Sequence, residues 1–347
     1  MTEKIERNPQ QPLPSTVSDR KLASPTLTLS QSTIDHLRCP VCGHPLVLKE
    51  HQFICQSHHC ARSFPVINNT PILLHEQASI FSIDDFVAQR PTTFDLKENK
   101  LKNALSNLLP KIDRNLKAEQ NYSKMVDLLL HDLEAPQVLV IGCGNLGKGM
   151  TALAKNSAID LLETDVSWGN RTQIICDAHN LPFADAVFDG VIIQAVLEHV
   201  VDPYRCVAEI HRVLKHAGIV YAETPFMQQV HMGCYDFTRF THLGHRRLFR
   251  QFDEIESGAA NGPGTALAWS YQYFLLSFFE SKILRKLTRA FARLTSFYLQ
   301  YFDYLLLNKP GAFDAASGYY FMGRKGEDIL DDRDLLTLYR GGISFGK

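Results

Sequence analysis

Charge imbalance is the first thing this chain lacks: 36 Lys and Arg stand against 37 Asp and Glu, a formal net charge of -1 over 347 residues. No global field draws it toward nucleic acid or an anionic membrane, so any such partner has to be met through a local patch. Long apolar runs are missing as well. No uncharged apolar run reaches the roughly 18 residues that span a bilayer. The opening MTEKIERNPQQPLPSTVSDRKLASPTLTLS is polar, rich in Pro and Ser and without an apolar targeting core, which predicts a disordered lead over residues 1–30 and a cytoplasmic protein. Nor is there a disulfide framework. Of eight cysteines, Cys39, Cys42, Cys55 and Cys60 cluster while Cys143, Cys176, Cys206 and Cys234 are scattered, a pattern unlike a secreted scaffold. The length suits one large domain and a smaller one.

The cluster reads RCPVCGHPLVLKEHQFICQSHHC: C-x2-C, a gap of twelve residues, then C-x4-C. Two knuckles joined by a hairpin can bring four thiolates into the tetrahedron that zinc prefers, and LVLKEHQFIC alternates well enough to be that hairpin. His58 and His59 lie inside the second knuckle, which leaves open a histidine in place of Cys60. Four protein ligands close the shell, making the metal structural. From LRCPVCG through CARSFPV to NNTPILL the segment resembles the small zinc ribbons that accompany some methyltransferases.

A second signal is VLVIGCGNLGKG, Val138 to Gly149. Apolar residues run into Gly142, Gly144 and Gly147, as when a buried parallel strand ends in a turn whose bare backbone approaches a ligand. NAD enzymes and S-adenosylmethionine (SAM) enzymes share this turn. KGMTALAK reads as the following helix and AIDLLETDVS as a second strand, ending at Asp165, 21 residues past Gly144, where a carboxylate accepts from ribose hydroxyls. NYSKMVDLLLHDLE places Met125, Leu128, Leu129 and Leu133 on a helical stripe leading into the first strand.

QIICDAHNLPFADAVFDGVIIQAVLEHVVDPYRCVAEIHRVLKHAGIVYAETPF separates the two cofactors. Its phrases and their order resemble the class I SAM-dependent methyltransferases of the small-molecule type. That resemblance implies a Rossmann-like α/β fold with a seven-stranded sheet and helices on both faces. It further implies that the backbone of Gly142, Cys143 and Gly144 borders the methionine part of SAM, that Asp165 holds the ribose, and that Asp177 accepts from the adenine amino group beside the Ala178 backbone. Trp168 would lie on the adenine face and Gln194 beside the amino acid moiety. Helix caps or solvated loop acids are the plainer account of Asp165 and Asp177, and ordinary packing that of Trp168. Glu198 and His199 match a phrase of the same family, as a support for the turn or, for His199, as a group touching the chemistry.

Beyond the fifth strand comes TPFMQQVHMGCYDFTRFTHLGHRRLFRQF, at the sheet edge where open α/β folds bind ligands. The DFTRFT phrase resembles bacterial methyltransferases, some of them associated with surface glycans. His231 is the candidate base, with Asp236 or Arg239 orienting the methyl acceptor; an Asp236–Arg239 pair fixing a lid competes with that reading. A helical insertion over 265–308 follows. There Ile283, Leu284, Leu287, Phe291, Leu294 and Tyr298 fall at helical spacing, with Lys282, Arg285, Lys286, Arg289 and Arg293 largely opposite. Such a helix lies on a membrane surface through 282–293 or covers an apolar acceptor, or else it forms an ordinary cap or dimer face. GYYFMGRKG reads as a final edge strand.

The expected layout is a zinc ribbon over 31–76, a linker with one helix over 77–123, the methyltransferase domain over 124–326 and a tail over 327–347. A glycan or lipid-linked intermediate is the expected acceptor. The rival acceptor is rRNA, because a ribbon ahead of such a domain is also similar to bacterial ribosomal guanine methyltransferases; the neutral balance disfavours RNA. A non-catalytic scaffold that docks a partner through its ribbon is the rival of another class.

Overall fold

The computed structural model describes residues 27, 29–93, 109–144 and 146–343; the expected disordered lead and most of the expected linker helix lie outside them. Five apolar segments form parallel strands: β5 Gln137–Ile141, β6 Asp160–Asp165, β7 Ile174–Cys176, β8 Phe188–Gln194 and β9 Leu214–Pro225. Two more are antiparallel additions, β10 Phe252–Asn261 and β11 Gly318–Lys325. Their spatial order is β7-β6-β5-β8-β9-β11-β10, the seven-stranded sheet that the sequence predicts. One placement differs. GYYFMGRKG does not form the edge: β11 is hydrogen-bonded on both sides, to β9 and to β10, and its first six residues are buried. The edge is β10, whose FDEIES half carries the acids that an exposed border tolerates.

Alternation along the central strand sorts the helices onto two faces. Leu139 and Ile141 of β5 join one core cluster with Cys206, Val207, Ile210 and Val213. Those four lie on α5 (Pro203–Val213), which begins at Asp202, whose side chain accepts from the Arg205 N–H. Val138 and Val140 point the other way, into a cluster with Ala118, Tyr122, Met125 and Leu129 of α3 (Ala118–Asp132). The α3 stripe is turned relative to the expected one: Tyr122 is buried and Leu133 is exposed. The helix expected after the glycine turn is a single turn, α4 (Thr151–Ala154).

The cysteine-bearing hairpins do not stand apart. After α1 (Gln31–His36), strands β1 Leu46–Lys49, β2 Gln52–Cys55, β3 Ser63–Ile67 and β4 Thr70–Leu73 pair in antiparallel sequence. β4 then pairs in parallel with β7 through Ile72↔Ile175 and Leu73↔Cys176. Among the described residues, eleven strands thus make one sheet. Leu37 at the end of α1 and Phe53 and Phe64 of the hairpins share a buried cluster with Leu181 and Phe183 of the main domain. The chain leaving β4 runs through α2 (Ile83–Val87) along the carboxyl edge of the sheet.

Two helices follow α6 (His242–Leu248) and β10: α7 (Pro263–Leu276) and α8 (Lys282–Ser296). The start of α7 is held by Asp303 of α9 (Asp303–Leu306), a carboxylate 1 % exposed that accepts from Gly264 N at 2.7 Å, Thr265 N at 3.0 Å and Thr265 Oγ1 at 2.7 Å. No helix among the described residues is long and apolar enough to cross a membrane.

Candidate functional site

At the carboxyl ends of the parallel strands lies a cavity of about 360 Å³, where ligands of open α/β sheets bind. β5 contributes Ile141 and the turn after it. Gly142 has φ +81°, and a Cβ there would stand 2.2 Å from Val196 Cγ2, so the bare backbone is required twice over. At Gly147 a Cβ would strike Gln194 Oε1 at 1.9 Å. The GxGxxG spacing therefore reflects close approach to β8 as well as to the cavity.

Asp165 and Asp177 both line this cavity and both are 5 % exposed. Asp165 Oδ2 accepts from Gly144 N at 2.7 Å. Burial pushes its carboxyl up to about 6, against the pull of the Gly144, Val166 and Ser167 backbone N–H groups. Asp177 is more heavily engaged. Its Oδ1 accepts from His179 N at 3.0 Å and pairs with His179 Nδ1 at 2.6 Å, while Oδ2 accepts from Ser79 Oγ at 2.5 Å. His179 Nε2 accepts from Asp202 N at 3.0 Å, so the ring's proton sits on Nδ1, facing the carboxylate. Burial raises the Asp177 carboxyl, but these donors outweigh it and hold it below its ordinary value. Ala178 lies beside it in the cavity wall.

Gln194 lines the opposite side. Its Nε2 donates to Glu223 Oε2 at 2.8 Å and its Oε1 accepts from Tyr122 Oη at 3.1 Å. Glu223, at the end of β9, also accepts from Asn115 Nδ2 at 2.8 Å and from Tyr221 Oη; burial raises its carboxyl above the ordinary value. Glu223, Asn115 and Lys148 all line the cavity and were absent from the sequence expectation. The acid ending an apolar strand in YAETP was the legible signal for Glu223. Asn115 had none, since it arrives from outside the sheet.

Not every expected residue reaches the cavity. Trp168 is not among its lining residues: its indole donates to Phe86 O at 3.2 Å and packs in a cluster with Phe86 and Ile72. The Cys143 side chain is buried away from the cavity, 3.6 Å from Thr172 Oγ1. Asp236 and Arg239 pair with each other, and Arg239 further donates to the Gln228, Gln229 and Thr238 carbonyls. Neither lines the cavity; the pair braces the loop that carries His231, whose backbone N–H donates to Asp236 Oδ2 at 2.9 Å. Burial would raise Asp236, but Arg239 and the His231 N–H hold it at about 2.

His231 and His199 do line the cavity, with rings edge to face at 4.9 Å. Beside both lies the Glu198 carboxylate, 1 % exposed, with neither oxygen finding a hydrogen-bond partner among the described residues. Burial pushes it up to about 8 and pushes His199 down to about 4. The Glu198 carbonyl accepts from Phe237 N at 2.7 Å and Thr238 N at 3.2 Å, so the phrase also ties the DFTRFT loop to β8.

The four clustered cysteines are free thiols whose Sγ atoms lie within 4.8 Å of one another, with Cys42–Cys55 at 3.4 Å and Cys39–Cys60 at 3.8 Å. Thiolates at about 2.3 Å from a tetrahedral ion stand roughly 3.8 Å apart, so this donor set fits zinc. His58 and His59 are not part of the group.

Comparison with known proteins adds a family. Residues 139–222 match the family model described as a methyltransferase domain. No curated protein matches the chain. Among solved structures, a SAM-dependent methyltransferase from Archaeoglobus fulgidus is 15% identical over 60% of this chain and 94% of its own, with a TM-score of 0.35. Phosphoethanolamine N-methyltransferase 2 of Haemonchus contortus, in complex with SAM, is 16% identical over 60% of this chain and 53% of its own, with a TM-score of 0.38.

Proposed function

We propose that this chain, which carries a class I, SAM-dependent methyltransferase domain at residues 139–222, transfers the SAM methyl group to a hydroxyl of a lipid-linked glycan intermediate at a membrane surface. The observation that carries the cofactor half is the cavity bounded by the Gly142–Gly144 turn on one side and by two buried carboxylates, Asp165 and Asp177, on the other. SAM supplies a sulfonium methyl that is already electrophilic. The protein's task is then alignment and exclusion of water. Asp165 binds the ribose hydroxyls, Asp177 and the Ala178 backbone bind the adenine, and the Gln194–Glu223–Asn115 network meets the ammonium and carboxylate of the methionine end. His231, on the loop braced by Asp236 and Arg239, is the group placed to take a proton from the acceptor. The cysteine cluster holds zinc as a structural ribbon.

The lipid half rests on α8. It carries five basic residues and no acid, and only Ala292 and Ser296 are buried. Ile283 is 72 % exposed, Leu287 62 %, Phe291 55 % and Leu294 56 %, and Phe274 and Phe278 of the preceding segment extend the patch. An ordinary helical cap would have covered this stripe. Left open beside a basic face, it has the make-up of a helix that lies in a lipid interface. Tyr273 Oη donates to Val230 O at 2.9 Å, which ties the insertion to the loop bearing His231.

Incubation with methyl-labelled SAM and fractionated membranes tests the acceptor: label is expected in organic-extractable glycolipid, and label in RNA overturns that half. Co-sedimentation with anionic against neutral vesicles tests the surface, with binding to the anionic set expected to fall on Leu287→Glu. Failure to bind S-adenosylhomocysteine would overturn the enzyme itself.

A further inference from the structure

We infer that Glu198, His199 and His231 bind a divalent first-row metal ion in the cavity wall, separate from the cysteine cluster, and that the ion's open positions take an oxygen of the acceptor. Three ligand atoms converge without a donor between them. Glu198 Oε1 lies 3.6 Å from His199 Nε2 and 3.9 Å from His231 Nε2, and one atom from each of the three residues falls within 4.8 Å of the others.

The tautomers follow from the far side of each ring. His199 Nδ1 lies 2.8 Å from the Tyr235 carbonyl, an acceptor, so Nδ1 carries the proton and Nε2 offers a lone pair. His231 Nδ1 faces two acceptors, the Gln229 carbonyl at 3.2 Å and Asp236 Oδ2 at 3.4 Å, with the same consequence. Two lone pairs and a carboxylate therefore point at one spot. A histidine whose second nitrogen donates to a carbonyl or carboxylate is the usual outer support of a metal ligand.

Glu198 supplies the independent sign. Its oxygens are buried and have no hydrogen-bond partner among the described residues, which is costly for a carboxylate unless something positive sits there. Ligands at about 2.1 Å from an ion stand roughly 3–3.5 Å apart, so each histidine needs to close on Glu198 Oε1 by only a few tenths of an ångström, with the two imidazole nitrogens themselves within 4.8 Å. Two imidazoles and a carboxylate select Mn²⁺, Fe²⁺, Co²⁺ or Zn²⁺ over Mg²⁺ or Ca²⁺. Because all three residues line the cavity, the uncommitted side of the ion faces the acceptor space.

The catalytic consequence rests on the methyltransferase reading. With His231 Nε2 committed to the ion, the proton-accepting role proposed for that ring passes to solvent: an acceptor hydroxyl on the ion loses its proton to water more readily. Its oxygen then forms the C–O bond while the methyl–sulfur bond breaks, the electron pair staying on sulfur to give S-adenosylhomocysteine.

The chain has two tryptophans, and Trp269 lies 6.5 Å from His231 between ring centroids. In a Trp168→Phe background, Trp269 emission reports the site. After dialysis against a weak chelator that leaves tetrathiolate zinc in place, titration with Co²⁺ is expected to quench emission saturably. The apparent affinity is expected to fall at least tenfold in both His231→Ala and Glu198→Gln, while S-adenosylhomocysteine binding by calorimetry stays within threefold. Unchanged emission up to millimolar Co²⁺ overturns the proposal, as it would if Glu198 kept a proton and shared it with the imidazoles. Equal quenching in native and variant proteins overturns it as well. Should Glu198→Gln fail to fold, His231→Ala on its loop decides alone. Loss of nucleoside binding with quenching intact would instead count against the methyltransferase reading.

Discussion

Asp165→Ala is the sharpest test of the cofactor grip. The carboxylate is 5 % exposed and spends one oxygen on Gly144 N, leaving acceptor capacity on both oxygens for a ribose diol. Hydrogen bonds to a charged group contribute about 1.5–3 kcal/mol each. Two of them, less the Gly144 contact that must be shared, come to about 3 kcal/mol, or roughly a hundredfold in Kd. Calorimetry at pH 7.5 with S-adenosylhomocysteine and its 2′-deoxy analogue turns this into a double-mutant cycle. The native protein should lose about tenfold on the deoxy ligand; Asp165→Ala should lose about a hundredfold on the parent and show no further deoxy penalty. A pH profile adds a second reading. The free carboxyl titrates at about 6 and the ligand needs the ionised form, so affinity should be full above that pH and fall as pH drops through it. If Asp165→Ala binds the parent within threefold, with an unchanged Tm, or keeps the full deoxy penalty, the ribose assignment is wrong.

Cys55→Ser, or exhaustive chelation, should weaken S-adenosylhomocysteine binding tenfold or more, measured by calorimetry, because the hairpins share a core and a strand pair with the cofactor edge; unchanged affinity would show that zinc is irrelevant there. Asp303→Ala orphans buried N–H groups at the start of α7 and should cost about 2–4 kcal/mol in urea unfolding, with α7 losing hydrogen-exchange protection first. Burial pushes His245 to about 3 and His242 to about 4, both below the unfolded value, so their neutral forms contribute stability that is present above about pH 6.5 and lost as pH falls below it. Together they should remove about 2 kcal/mol between pH 6.5 and 5.5, and His245→Leu should roughly halve that slope in urea titrations.

What the sequence made legible is what local pattern determines. Buried parallel strands are continuous apolar runs, so Val138–Ile141 and Ile174–Cys176 announce themselves, and the acids that end β6 and β7 are where the turn geometry requires. Cysteine spacing is likewise local. What stayed hidden depends on register and on distant chain. β10 could not be read because Asp253, Glu254 and Glu256 break its apolar pattern, although β11 pairs with it from Phe252 to Asn261 with two register shifts. Trp168 follows Asp165 by three residues, a separation that fixes its distance but not its direction, and the Phe86 carbonyl on a different segment drew the indole away. The Glu198 carboxylate, without a partner among the described residues, is a tertiary fact as well: LEHV reads as a turn, and only the return of His231 beside it raises the question of what fills the gap.

The position of the cysteine hairpins has a consequence for how the nucleoside end of the pocket is built. β7 has only three residues, too short an edge to define a binding wall, and its outer backbone groups would otherwise be open to any passing strand. β4 pairs along that edge, and the chain just beyond it delivers Ser79 to Asp177 and Phe81 to the cavity lining. Asp177 is thus oriented from two sides, by His179 from its own turn and by Ser79 from the hairpin module. A metal held by the four cysteines of that module would therefore fix, through one strand pair and one serine, the carboxylate proposed to read the adenine. On the proposed cofactor placement the cysteine hairpins would form the outer wall of the site, which is why Cys55, remote from any reacting atom, ranks among the residues whose loss should be felt in nucleoside affinity.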